Sequence, residues 1–198
     1  MNQPLRIALF FQSIFMTPLY TLDPTGLQDQ QVLWLRDQAI AQIQWARQYS
    51  LQLIESIQGS QWYDIPSGQS SHLAWQVGHL AVAQYGLMLF RQRGRAEGDI
   101  QLMPGWLRKQ FGRGSQPSTS LHGMPSSDEL MQHLNAIHHQ SINEASQLTV
   151  QTLREPCDVP YCVYPIRLGA LMMAPVHEGI HAGQIGAIRR GLGLEPIR

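Results

Sequence analysis

Apolar side chains recur every three to four residues along four long stretches of this chain, a spacing that predicts four helices. The first covers about Leu27 to Ile57. Leu33, Ile40, Ile43, Leu51, Ile54 and Ile57 are among its apolar positions, Gln and Arg fill the remainder, and Gly59-Ser60 stops it. The second follows the turn signal Pro66-Ser67-Gly68, takes Ser70 or Ser71 as its cap, and runs to about Gln92 before Gly94 and Gly98. In the third, Ser126 and Glu129 have capping-box spacing, and the helix continues to about Leu148. The fourth starts near Ile166 to Leu168 and reaches Arg190, where Gly191, Gly193 and Pro196 end it. No Val/Ile/Thr alternation is long enough for a sheet, so the expected fold class is all-α.

The connections constrain the arrangement of these helices. Gly94 to Pro125 spans over thirty residues and holds Pro104, Gly105, Gly112, Gly114 and Pro117. That length carries the chain back along a bundle, making helices two and three parallel. Trp106, Leu107 and Phe111 within it predict a short helical turn across one end.

Residues 1–26 precede the first helix and contain the apolar run LRIALFFQSIFMTPLY. Gln12 and Ser13 interrupt the run, no A-x-A site follows it, and it is too short to span a bilayer. It is expected to pack on the domain or on a partner, or to extend the chain upstream of the usual start. A cytoplasmic location follows from that reading. Residues 27–198 form one domain.

Composition narrows the function classes. Hydrophobic residues are 43% and charged residues 14%, which describes a globular chain. Fourteen basic side chains balance fourteen acidic ones, without a run of Lys/Arg. Nucleic acid and anionic membrane are therefore not the expected partners; a small-molecule substrate is. Cys157 and Cys162 have four residues between them, which fits neither a C-x-x-C redox pair nor a zinc knuckle. They are expected as reduced, unlinked thiols, with one of them lining an active site as the alternative reading.

Candidate chemistry lies in helix four, where His177-Glu178-Gly179-Ile180-His181 matches the H-E-x-x-H pattern of zinc proteases. Histidines four apart on a helix project side by side and can grip one ion. The extended protease pattern is missing, because Gln184 and Ala187 stand where Gly and His are needed. A third ligand must come from upstream, from His72, His79, His122, His133, His138 or His139. His79 is mid-helix in AWQVGHLAVAQ, on an apolar face, and a bundle builds metal sites from facing helices. Met173, Ile180, Gln184, Ile185 and Ile188 share the sector of the histidine pair, which is therefore expected to point inward.

Gly179, Gly183 and Gly186 form an opposite stripe, each costing about 1 kcal/mol against alanine. Contact with another subunit, or with the N-terminal segment, would offset that cost. Pro175 is expected to kink the helix or to mark a local restart. Gln184 is a candidate to orient a ligand or a water. Glu178 is a candidate base or support for a ligand, with a plain helix salt bridge as the alternative. His72, two turns before His79, is placed at the mouth of the site.

WQVGHLAVAQ at 75–84, FGRGSQP at 111–117 with PSSDEL at 125–130, and HEGIHAGQIGAIRRGLG at 177–193 together resemble the DinB/YfiT family of metal-binding four-helix bundles. The resemblance runs from about Leu27 to Leu194 and implies an up-down-down-up bundle. It implies a divalent metal held by His79, His177 and His181. A nitrogen-only donor set suits zinc, nickel, copper or iron, and zinc or nickel, then manganese or iron, are the candidate ions. The resemblance also implies a metal-dependent transferase, isomerase or hydrolase, with a low-molecular-weight thiol as cosubstrate, and a homodimer. A metal-binding interaction or structural protein without turnover is the rival expectation.

Overall fold

The structure, a computed structural model, describes residues 21–159 and 161–197. Residues 1–20, most of the apolar extension, lie outside the described residues. Four long helices form the frame: α1 (Asp29–Ile54), α2 (Leu73–Tyr85), α6 (Ser127–Ala145) and α8 (Arg167–Gly191). Short helices lie between them: α3 (Arg91–Arg93), α4 (Asp99–Leu102), α5 (Gly105–Phe111) and α7 (Val150–Leu153). No strand is present among the described residues, and the fold is an all-α bundle.

Three of the long helices, α1, α2 and α6, are closed at their N-termini by side-chain chemistry. Gln31 Oε1 accepts from the Gln28 amide at the start of α1. Ser126 Oγ accepts from the Glu129 amide at 3.2 Å and caps α6. At α2 the cap is His72, not Ser70 or Ser71: its Nδ1 accepts from the Trp75 amide at 3.0 Å. An imidazole nitrogen thus does the work that a hydroxyl was expected to do. Gly94, at φ +80°, ends the second helical stretch in the left-handed region that glycine favours. α8 runs unbroken through the buried Pro175, without the expected restart.

Between α2 and α3 the chain keeps coiling, but as a π turn over Gly86–Phe90. Such turns insert one residue into the ladder, and sequence periodicity gives no sign of them.

Side-chain bridges tie the helices in a consistent order. Arg47 meets Glu178 and Arg189 meets Leu53, so α1 and α8 rise in number together. Gln84 meets His138 and Arg93 meets Glu144, and the same holds for the α2 stretch and α6. Gln76 meets His181 while Gln92 meets Arg167, which runs α2 against α8. The crossover is pinned at α4. Arg93 grips both oxygens of Asp99 at 2.8 and 2.9 Å, and Tyr85 donates to Asp99 at 2.8 Å.

Inside the frame, Leu73, Leu80, Leu107, Phe111, Leu130, Leu134 and Ile137 are fully buried. Each such side chain contributes about 1.5–3 kcal/mol. Leu107 and Phe111 belong to α5, so the crossover helix predicted from Trp106, Leu107 and Phe111 packs into the core against α2.

Candidate metal centre

α2 and α8 bring His79, His177 and His181 together, each with a ligating nitrogen within 4.8 Å of the others. Ring centroids are 5.3 Å apart for His79 and His177, 4.8 Å for His79 and His181, and 4.5 Å for His177 and His181. A tetrahedral zinc site with bonds of about 2.0–2.1 Å places its nitrogens about 3.4 Å apart. Closing by about 1.4 Å at most would bring the three rings to that spacing.

Two of the rings are oriented by hydrogen bonds at the far nitrogen. His79 Nδ1–H donates to the Phe111 carbonyl at 2.8 Å, and His181 Nδ1–H donates to Gln76 Oε1 at 2.6 Å. Each bond leaves Nε2 as the nitrogen with a free lone pair, the arrangement found behind metal-bound histidines. Trp75 stacks on His79 with centroids 4.7 Å apart and 8° between planes, and donates from Nε1 to Ser115 Oγ at 3.0 Å. Burial lowers the pKa of all three imidazoles: His79 in direction, His177 to about 4, His181 to about 3. Their mutual proximity adds to the shift at His177 and His181. Three neutral, converging imidazoles are a donor set that suits a divalent transition ion.

The other histidines are engaged elsewhere or lie at the surface. His72 is fully buried, not at a mouth: its Nε2 side meets the Ser118 carbonyl at 3.0 Å while Nδ1 caps α2, so both nitrogens are used. His133 meets the Leu102 carbonyl at 3.1 Å. His138 accepts from Gln84 Nε2 at 3.0 Å, and burial, then the nearby Arg47 charge, pushes its pKa down to about 4. His122 and His139 are exposed.

Glu178 belongs to a different network from the histidines beside it. Arg47 of α1 holds both its oxygens, Nε to Oε1 at 2.8 Å and Nη2 to Oε2 at 2.9 Å. The side chains are only 2% and 1% exposed. Arg47 also donates to Gln84 Oε1 and the Leu134 carbonyl. Of the roles open to Glu178, the structure gives it a salt bridge, although to another helix and not along its own.

This pair explains a second difference from the sequence reading. Ile180 is 53% exposed and Gln184 is exposed, because the buried face of α8 is centred on Leu171, Ala174, Glu178, Ala182 and Ile185. An apolar-inward rule turns the helix the wrong way when its innermost side chain carries a charge. His177 and His181 lie at the edge of that face, turned toward α2. Gln184, one turn beyond Ile180, follows His181 by three positions on the same helix. Among the described residues, and leaving aside their own helix turn, nothing lies within 4 Å of a Cβ added at Gly179 or Gly183.

Above the imidazoles lies a cavity of about 600 Å³, lined by His79, His177, Arg91, Arg108, Arg113 and Tyr161 among others. Cys157 and Cys162 are unlinked thiols outside that lining. Burial raises both, Cys162 to about 12, so they are poor nucleophiles. Gln76 and the Phe111 carbonyl are the parts of the site that sequence reasoning missed, whereas Trp75 falls on the face of His79 by helical spacing. The motif WQVGH held Gln76 at position −3 from His79, where helical spacing puts it beside the ring.

No curated protein matches the chain. A family model, described as the DinB superfamily, matches residues 42–185, which include all three histidines. No described helix is long and apolar enough to cross a membrane.

Proposed function

The chain belongs to the DinB superfamily, and from that premise we propose that it is a metal-dependent enzyme that activates a small thiol or a water. The observation that carries this reading is the three-histidine cluster, with Nε2 of His79 and His181 freed by bonds at Nδ1 and a cavity reaching His79 and His177. A divalent ion bound there supplies positive charge that makes a thiol or water easier to deprotonate. His79, His177 and His181 contribute neutral nitrogens, which leave that charge undiminished. Phe111 and Gln76 fix two of the rings, and Trp75 shields one face of His79 from water.

A closed structural site, the rival reading, uses four protein ligands. Among the described residues the cluster holds three, and it opens on a cavity. That combination supports the catalytic reading over the structural one.

The decisive measurement is metal content of the purified chain beside its His79→Ala variant. One zinc, nickel, manganese or iron per chain is expected in the wild type and about none in the variant. Added metal should raise the wild-type melting temperature, since an ion at a thousand times its Kd adds about 4 kcal/mol. A metal-free wild type with an unmoved melting temperature overturns the proposal.

We also propose a second copy of the chain as partner. Trp34 at 60%, Trp45 at 66%, Val176 at 55% and Ile180 at 53% exposure, with Gly179 and Gly183 open among the described residues, give α1 and α8 an apolar outer face that supports it. Sedimentation at micromolar concentration should give a dimer, and a strict monomer rules this out.

A further inference from the structure

The cavity holds His79 and His177 together with three arginines, set among Val82, Ala83, Leu87 and Met173. Arg91 comes from the turn after the π segment, Arg108 from α5, and Arg113 from the loop behind α5. Arg108 also lines an adjoining hollow of about 390 Å³, together with Arg95 and Lys109. Five cations from two segments separate in sequence therefore meet at one end of a chain whose net charge is zero. Among the described residues, none of the five is within 4.0 Å of a carboxylate. Arg36, Arg47, Arg93, Arg154 and Arg167, in contrast, are all in ion pairs.

Unpaired guanidinium groups converging on one concavity repel one another, and an anion relieves that cost. Arg91 is half-buried and anchored, with Nη1 donating to the Gly86 carbonyl at 3.1 Å. Anchoring holds the planar fork ready for a carboxylate or phosphate, which it meets with two parallel hydrogen bonds. The volume, about 600 Å³, is that of a small-molecule site and not of a polymer groove.

We propose that the molecule taken by this cavity is a small organic oxyanion, bearing a carboxylate or a phosphate. Arg91, Arg108 and Arg113 take its charged end, and its reacting end is delivered to His79 and His177. The inference rests on the metal reading above only for which end faces the imidazoles; the anion site itself stands on the arginines.

The test is calorimetric titration of the zinc-loaded full chain with succinate, with 2-phosphoglycolate, and with succinamide as the neutral isostere. Zinc content is measured before and after each titration. The two anions should bind and succinamide should not. Arg108 and Arg113 are exposed, so an Arg108→Gln/Arg113→Gln variant should fold, keep its zinc, and bind the anions at least tenfold more weakly. A carboxylate site favours succinate and a phosphate site favours 2-phosphoglycolate. Undiminished binding by the variant, equal binding of succinamide, or no binding of either anion overturns the inference. If the chain holds no zinc, the function proposed above fails, and the same titrations on the metal-free chain still decide the anion site.

Discussion

Glu178 stands between a metal-ligand candidate and a glycine in the sequence, yet its carboxylate answers to Arg47, 131 positions away. Both oxygens are held in a nearly water-free core, so the two charges satisfy each other and neither is available to a substrate. Deleting one member leaves the other buried and uncompensated, at a cost of about 3–5 kcal/mol. Glu178→Gln should therefore lower the free energy of urea unfolding by an amount in that range while zinc content is retained. A double replacement of Arg47 and Glu178 by Met and Leu should recover most of the loss, because apolar side chains of similar volume need no partner. A Glu178→Gln protein of normal stability that loses its metal would contradict this account. The H-E-x-x-H spelling was legible as two histidines side by side. The meaning of the glutamate was not, because its partner lies on α1 in a run of Gln and Arg with no mark to single it out.

At the scale of elements, α2 and α5 are fitted together through Gly78. A Cβ there would sit 2.3 Å from Cγ of Phe111, far inside contact distance, so only glycine lets the ring lie against the helix. The same Phe111 offers its carbonyl to His79, the next residue along α2. Gly78→Ala should cost about 1–3 kcal/mol by overpacking. It should also weaken metal binding about 10–100-fold by pulling the carbonyl away from Nδ1. Chelator competition reads the second effect, and unchanged affinity would mean that the carbonyl is not orienting the ring. Periodicity and capping marked the long helices to within a few residues, since Leu, Ile, Ser126 and the terminal glycines act locally. The π turn at Gly86–Phe90 was invisible, because the ladder there is decided by what packs around the helix.

Across the whole molecule, the crossover from Gly94 to Pro125 is the part whose length could be read but whose use could not. Its apolar residues announced a helix against the bundle, and Leu107 and Phe111 provide it. The charges of Arg91, Arg95, Arg108, Lys109 and Arg113 carry no mark in the sequence, because acidic residues balance them in the total. Folding sorts them: the acids at Asp99 and Glu144 are taken by Arg93, and the five cations are left facing one end. A sum of charges carries no information about their placement.

One short helix, α5, touches both halves of the site. Arg108 in its middle lines the cavity, and the Phe111 carbonyl at its last residue steadies His79. A substitution that shifts this two-turn rod should therefore disturb the cavity wall and the aim of an imidazole together, three residues apart on one backbone.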